Sequence, residues 1–402
     1  MKKYFLIIAI TFLSLNIAFS QVKDLSDKAQ ISLITIEPGQ NELYAAFGHS
    51  GIRVYDPIRG IDFMYNYGIF DFNQPNFYLN FARGYLLYKL GGASFPAYVN
   101  HYSSRENRTV KELPLKLTPG QAEAIHQYLK NNIKPENQNY YYDYYYNNCA
   151  TKVYDVFAEV LGEQLQTDWT FIDTDLSFRE STNDLLAWQP WGSVGINLGL
   201  GMPIDKKMTP REYTYLPEYV EKAFLHSQVN GQKMADSDNL IIHYTRNEEL
   251  AASEKPGFFT PMLVFWVIFG IIFLITLTGY RDYRWFKFID VIWFFVLGLV
   301  GLLLTFLWFF TDHHAAENNL NILWAWPTHL IFAFLLLKKS YPTYLRRYFL
   351  ICGWVMILIA LLWGLLPQQY HPSFLPIILV SIVRCFYIYL ITTKREGLQI
   401  RV

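Results

Sequence analysis

The chain has 402 residues, and its 34 Lys and Arg balance its 34 Asp and Glu to a formal net charge of zero. Without a basic excess there is no electrostatic footprint for a nucleic acid, which is excluded as a partner. Apolar residues make up 52% of the chain and charged ones 17%, which excludes a disordered polyelectrolyte and points to a membrane.

Lys2 and Lys3, an apolar run from Phe5 to Phe19, and Ala18-Phe19-Ser20 ahead of Gln21 open the chain. A charged start, an apolar middle and small residues before a cut predict a secretory signal peptide over 1–20. Residues 31–37, apolar and β-branched, predict a strand. Two more follow at 47–55 and 61–67, joined by the turn formers Asp56-Pro57-Ile58-Arg59-Gly60. Residues 107–113 alternate as a strand. Thr118-Pro119-Gly120-Gln121 then opens a helix running to Asn132, with a capping-box pattern and Pro at its first position. A polar turn leads into a helix headed by Cys149 and ended by Leu161-Gly162. Residues 167–207, rich in Trp, Gly and Asp, predict irregular structure. A short helix is expected at 217–226 and a strand within 238–246.

After Pro256 the composition shifts to five apolar stretches, at 259–277, 288–310, 322–337, 349–366 and 374–392. Most approach the roughly 20 residues that a bilayer demands, while the third is short at its strict core. Arg281, Arg284 and Lys287 lie in one connection, Lys338, Lys339, Arg346 and Arg347 in another, and Lys394, Arg395 and Arg401 in the tail. The alternate connections, 311–321 and 367–373, contain no Lys or Arg. The positive-inside bias predicts a multi-pass protein of the inner membrane, with residues 21–250 in the periplasm and a cytoplasmic C-terminus. The predicted organisation is a signal peptide (1–20), a periplasmic domain (21–250) and a five-span membrane domain (251–402). The linker 247–257 is too short to let the periplasmic domain leave the bilayer.

The three cysteines are Cys149, Cys352 and Cys385, the last two within apolar stretches. Cys149 therefore has no intradomain disulfide partner in an oxidising compartment. At a helix N-terminus a thiol is shifted toward thiolate, so Cys149 reads as a nucleophile, with an inert buried thiol as the competing reading. Among the exported histidines His49 stands apart: Phe47-Gly48-His49-Ser50-Gly51 places it at the start of a strand, with flanking glycines that permit close approach. A strand histidine facing a helix-capping cysteine is the arrangement of a thiolate–imidazolium pair. If the Asp56–Gly60 turn closes a hairpin, residues 65–67 come opposite His49. Asn66 then orients the imidazole or only satisfies backbone in a turn; Asp71 and Asp62 are weaker candidates for the third role. Asp312, His313 and His314 form no recognisable metal spacing, and no cofactor or metal is expected.

The order of histidine on a strand and cysteine on a later helix resembles the circularly permuted papain-like fold of the lecithin–retinol acyltransferase type. More closely, Phe47-Gly48-His49-Ser50-Gly51, residues 65–72 (Tyr65-Asn66-Tyr67-Gly68-Ile69-Phe70-Asp71-Phe72) and Asn147-Asn148-Cys149-Ala150 resemble the periplasmic domain of Bacteroidota-type lipoprotein N-acyltransferases. The permuted group often has a further histidine at the third position, where this chain has none between His49 and His101. The resemblance implies an α+β, permuted papain-like periplasmic domain followed by an all-α five-helix bundle. It also implies acyl transfer from a membrane phospholipid through a Cys149 thioester to the amino-terminal cysteine of a diacylated lipoprotein. Arg83, Tyr146, Asn148 and Arg384 are candidates for touching substrate, Arg384 because a charge within a span is costly unless it faces the bundle or pairs, with His329 as a candidate partner. The tyrosines at 140–146 form either a wall for an acyl chain or a loop over its own core. The rival readings are a papain-like peptidase or amidase acting on cell-wall peptides, and a membrane-tethered binding module in which Cys149 is inert.

Overall fold

In the computed structural model, residues 23–70, 74–282 and 285–399 are described; the expected signal peptide and Asp71 lie outside them. Strands β1 (Gln30–Ile36), β2 (His49–Asp56) and β3 (Ile61–Ile69) form an antiparallel centre. The hairpin between β2 and β3 closes because the Asp56 carboxylate accepts from the N–H groups of Ile58 (2.9 Å) and Arg59 (3.1 Å). After it come α1 (Phe77–Arg83), β4 (Leu87–Ser94), α2 (Phe95–Asn100), β5 (Val110–Pro114), α3 (Pro119–Asn132), β6 (Asn139–Tyr141) and α4 (Cys149–Leu161). Next are β7 (Leu165–Thr167), α5 (Phe178–Leu185), α6 (Pro190–Gly199), α7 (Pro217–Leu225), β8 (Ser227–Val229), β9 (Gln232–Lys233), β10 (Ile241–Tyr244) and α8 (Glu248–Ala251). The main sheet has seven strands in the order β10-β5-β1-β2-β3-β4-β6, and β7-β8-β9 form a small second sheet. The exported region is thus α+β.

β1 is buried on both faces, and its side chains divide by the two-residue period of a strand. Ile31 and Leu33 pack with Ile125 of α3, Val153 of α4 and Phe224 of α7. Ile34 and Ile36 pack on the other face with Phe95, Tyr98 and Tyr102. Each such fully buried side chain contributes roughly 1.5–3 kcal/mol, so the central hairpin is anchored from both sides. The helix at α3 has the expected capping box between Thr118 and Gln121, and α4 begins at Cys149 and ends against Gly162.

The stretch expected to be irregular, 167–207, instead holds α5 and α6. Its helix signals are local and easily masked by the Trp and Gly content. Ser177 and Glu180 form a capping box at the start of α5, and Pro190 occupies the first turn of α6. This stretch joins the sheet domain to the membrane helices. Asn321 donates to the Asn197 carbonyl (2.9 Å), Gly201 N–H to the Ala315 carbonyl (2.8 Å), and Gln369 N–H to Asp205 (2.9 Å).

The membrane part comprises α9 (Pro261–Asp282), α10 (Lys287–Phe309), α11 (His329–Leu335), α12 (Thr343–Leu361) and α13 (Phe374–Gln399). Among the described residues four helices are long and apolar enough to cross a bilayer, over Pro261–Tyr280, Lys287–Phe309, Thr343–Leu361 and Phe374–Lys394. The third expected span departs from expectation: it is a short 3-10 turn at Leu320–Leu323 followed by the seven-residue α11. Pro327, which has no N–H to donate, separates the two. Such broken backbone survives at membrane depth because protein surrounds it. Trp324, Ala325, Ala333 and Leu336 are all buried, and a Cβ on Gly298 or Gly301 of α10 would collide with the backbone at Leu330 or Ala325. The segment still runs the depth of the bundle: Asp312 bonds the sheet domain at Arg83, whereas Tyr341 packs on Trp285 at the far end.

Arg384 is fully buried, and its partner is Asp290 rather than His329. Its Nε and Nη2 donate to the two carboxylate oxygens at 2.5 and 2.7 Å, and its Nη1 donates to Thr276 at 2.7 Å. Trp285 Nε1 donates to the same carboxylate (2.7 Å). One polar cluster thereby ties α9, α10 and α13 together. His329 hydrogen-bonds Tyr348 instead (2.7 Å). Removing one member of a buried pair strands the other, so Arg384→Leu is expected to destabilise the bundle by about 3–5 kcal/mol. Arg384→Leu combined with Asp290→Leu should recover most of that loss, as read by thermal unfolding in detergent.

Candidate active site

Three of the residues singled out from sequence come together where the ends of β2 and β3 meet the start of α4. Cys149 occupies the first helical position of α4, below the N-cap Asn148. The Asn148 side chain accepts from the N–H groups of Ala150 (2.9 Å) and Thr151 (3.0 Å) and donates to the Tyr144 and Tyr215 carbonyls (2.9 and 2.8 Å). It therefore fixes the direction of α4, and leaves the Cys149 N–H uncommitted. His49 starts β2, and its Nε2 is hydrogen-bonded to Asn66 Oδ1 on β3. An amide oxygen only accepts, so Nε2 carries the proton and Nδ1 is left to the thiol. The imidazole also stacks on Tyr102 at 6.0 Å.

Two glycines at positive φ shape this meeting point. Gly48 (φ +76) precedes His49, and a Cβ there would approach the Ile36 carbonyl to 2.9 Å. Gly68 (φ +93) sits where the β3–β4 pairing slips, and a Cβ there would reach within 3.5 Å of Cys149 Cβ and 3.8 Å of His49 Cε1. Only glycine adopts this φ without strain, and its lack of a side chain keeps the space beside the thiol open at the slip in β3, a place where bulges beside active sites are common.

Burial raises the cost of a charged thiolate at Cys149. The facing His49 charge and hydrogen bond, with N–H groups of Ser50 and Ala150, outweigh it and hold the Cys149 pKa below its ordinary value of 9.0. His49 behaves in reciprocal fashion. Burial alone would lower it, but the Cys149 thiolate and the bonds to Cys149 and Asn66 raise it above 6.5. Each group thus favours the charged form of the other, the imidazolium stabilising the thiolate and the thiolate the imidazolium. Burial also raises the neighbouring Tyr98, Tyr102 and Tyr142 phenols, which stay neutral.

Above the thiol lies a cavity of about 720 Å³ with a largely apolar lining. Tyr142, Tyr144 and Tyr145 line it, so half of the tyrosine run does form a wall; Tyr141 and Tyr146 face outward. Phe81 of α1 and the Gly192–Gly199 face of α6 complete it on the side of the membrane bundle.

The remaining candidates lie elsewhere. Tyr146 is exposed and packs on Phe178. The Arg83 side chain is exposed at the end of α1, where only its carbonyl is used, accepting from Asp312 N–H (2.7 Å). Arg384 is engaged within the bundle, and Asp62 is paired with Arg53 (2.8 Å). Among the described residues no group of three His, Cys, Asp or Glu side chains is arranged to hold a metal.

Arg108 lines the cavity and was not read from the sequence. It is 1% exposed, bonded to the Glu37 carbonyl (2.9 Å) and Glu106 (2.8 Å), and lies over Tyr102. Its Nη2 has no partner among the described residues. An arginine beside a strand carries no local signal of such burial.

Residues 18–179 match the family model described as the Lnb N-terminal periplasmic domain. Residues 253–396 match that described as the Lnb transmembrane domain. The chain belongs to the Lnb (lipoprotein N-acyltransferase) family. It is a membrane protein with a periplasmic domain, and the family places it in lipoprotein processing. No curated protein and no solved structure matches the chain. The matches span Cys149, His49 and Asn66 in one part and Arg384 in the other.

The electrostatics give a direct expectation for pH. Alkylation of Cys149 by iodoacetamide should be half-maximal below the ordinary thiol value of 9.0, because thiolate persists as pH falls toward the lowered Cys149 pKa. His49→Ala leaves only the Ser50 and Ala150 N–H groups to oppose burial, moves the half-maximal point up, and should slow alkylation at neutral pH by about tenfold or more.

Proposed function

We propose that the protein is a two-step thiol acyltransferase, moving an acyl chain from a membrane phospholipid to the α-amine of a diacylated lipoprotein's N-terminal cysteine. The observation that carries this reading is the Cys149–His49–Asn66 array, its thiol buried, at the floor of an apolar cavity walled on one side by α6, the helix packed on the bundle.

In the first step the Cys149 thiolate attacks the ester carbonyl of the phospholipid. The oxyanion that forms is met by the uncommitted Cys149 N–H at the positive end of α4. When the ester C–O bond breaks, the His49 imidazolium gives its proton to the departing lysophospholipid alkoxide, leaving a thioester and a neutral imidazole. In the second step the lipoprotein amine attacks the thioester and passes a proton to His49. The C–S bond breaks, the amide is released, and the thiolate–imidazolium pair is restored. Asn66 keeps the imidazole turned so that one nitrogen serves both transfers.

Both substrates are anchored in the outer leaflet of the inner membrane, and a site fixed against the bundle meets them at high effective concentration. In this arrangement α13 begins beside the periplasmic domain and carries the C-terminus to the cytoplasmic side. An apolar cavity suits an acyl chain better than the extended polar groove that a peptidase of cell-wall peptides needs.

Mass spectrometry of lipoprotein N-termini in cells checks this. Cys149→Ala should abolish N-acylation and leave diacylated lipoproteins with a free amine. Asn66→Ala should slow the reaction by about 100-fold through a misdirected imidazole. Full N-acylation in Cys149→Ala cells, with no other acyltransferase present, contradicts the proposal.

A further inference from the structure

Helix α6 presents an unusual face to the cavity. Gly192, Gly195, Ile196 and Gly199 are spaced as one side of a helix, and all four line the space above Cys149. Glycine is the poorest helix former other than proline, so in a helix interior it normally answers to a close neighbour. Gly192 does: a Cβ there would approach Leu43 to 2.6 Å. Gly195, inside the helix, does not, and neither does Gly199 at its last position, since a Cβ at either would meet no atom within 4 Å. What the missing side chains leave behind is cavity, not packing. The opposite side of α6 is rigidly held, with Asn197 bonded to Arg179 (2.9 Å) and Asn183, and Val194 packed into the membrane core. The face therefore cannot collapse inward to fill the gap.

An independent feature points to a ligand in the same cavity. Arg108, almost fully buried, borders it and has one guanidinium nitrogen without a partner among the described residues. A buried donor left over in this way is costly unless a carbonyl or phosphate oxygen arrives with the ligand. The cavity thus combines a smooth apolar wall with a buried cationic side chain at its border, and an acyl ester presents an apolar chain and a polar head.

The geometry points to the Gly195–Gly199 face of α6 as the wall along which the donor acyl chain lies, and to Gly199 as a determinant of the chain length accepted. Gly195 is exposed at the mouth and Gly199 is half-buried, so the wall runs inward from the membrane side. A side chain at Gly199 projects into the path of a long chain and leaves a short one untouched. This inference rests on the transferase reading and adds a substrate preference to it.

The test uses the full-length protein with vesicles holding equal amounts of dodecanoyl and octadecanoyl phosphatidylethanolamine, without acceptor. The two acyl adducts on Cys149 are counted by intact mass. Gly199→Leu should shift the adduct ratio toward dodecanoyl by about tenfold or more relative to wild type. Gly199→Ala guards against misfolding: it should shift the ratio in the same direction by less, while raising Tm, because alanine favours the helix and meets nothing. An unchanged ratio in both variants, or a lower Tm for Gly199→Ala, overturns the inference. A wild-type protein that forms no adduct from either lipid overturns the transferase reading itself, and the inference with it.

Discussion

The pairing of the Cys149 thiol with the His49 imidazole at the end of a hairpin is the constraint around which this molecule is organised. Taking the Cys149 thiol and the His49 imidazole out of water disfavours the charged form of each, and only their mutual attraction and hydrogen bonds reverse that. Every nearby feature serves that balance. The capped start of α4 brings its dipole to the sulfur, the Ser50 and Ala150 N–H groups bond it, Asn66 fixes which imidazole nitrogen faces it, and Gly68 leaves room beside the pair. Shift α4 by one residue and the thiol leaves the site.

The pair is useful only if substrate reaches it, and the second organising element is the joint between sheet domain and bundle. Segment 177–205 is braced internally by Arg179, bonded to Asp205 and the Gly201 carbonyl (both 2.8 Å); it is held to the sheet domain by Tyr215 on Ser181 (2.7 Å) and Tyr145 on Thr182 (3.1 Å), and to the membrane part by Asn319, Asn321 and Gln369. Such a bonded joint fixes the cavity mouth relative to the bilayer, and α1 adds a second contact through His313 and the Phe81 carbonyl (3.0 Å). Within the bundle, the Arg384–Asp290 cluster performs the corresponding task for α9, α10 and α13. Its charge is structural, since all three helices converge on it and its donors are taken up by Asp290 and Thr276.

What the sequence revealed follows from the range of the interactions. The hairpin, the α3 capping box and the start and end of α4 are specified by residues within a few positions of one another, and each was legible. His49 and Cys149 were legible because a lone exported thiol and a glycine-flanked histidine are unusual residue choices. Asn66 followed from the hairpin. The third membrane stretch was legible as apolar and short, whereas its break was not, because hydropathy sees apolar length and not that Pro327, shielded by neighbouring helices, can interrupt it. Arg384 and Asp290 are 94 positions apart, and Arg108 becomes distinctive only through the Glu37, Tyr102 and Glu106 groups that the fold gathers around it. Long-range pairing of this kind leaves no local pattern.

The account stands on Cys149 being an acyl-accepting nucleophile. The most direct measurement is peptide mass spectrometry of the purified protein after incubation with phospholipid vesicles, before and after hydroxylamine. A hydroxylamine-labile acyl group on the Cys149 peptide, absent from His49→Ala, is the predicted result. Acyl modification confined to other residues, or none while lipoprotein N-acylation proceeds, contradicts it.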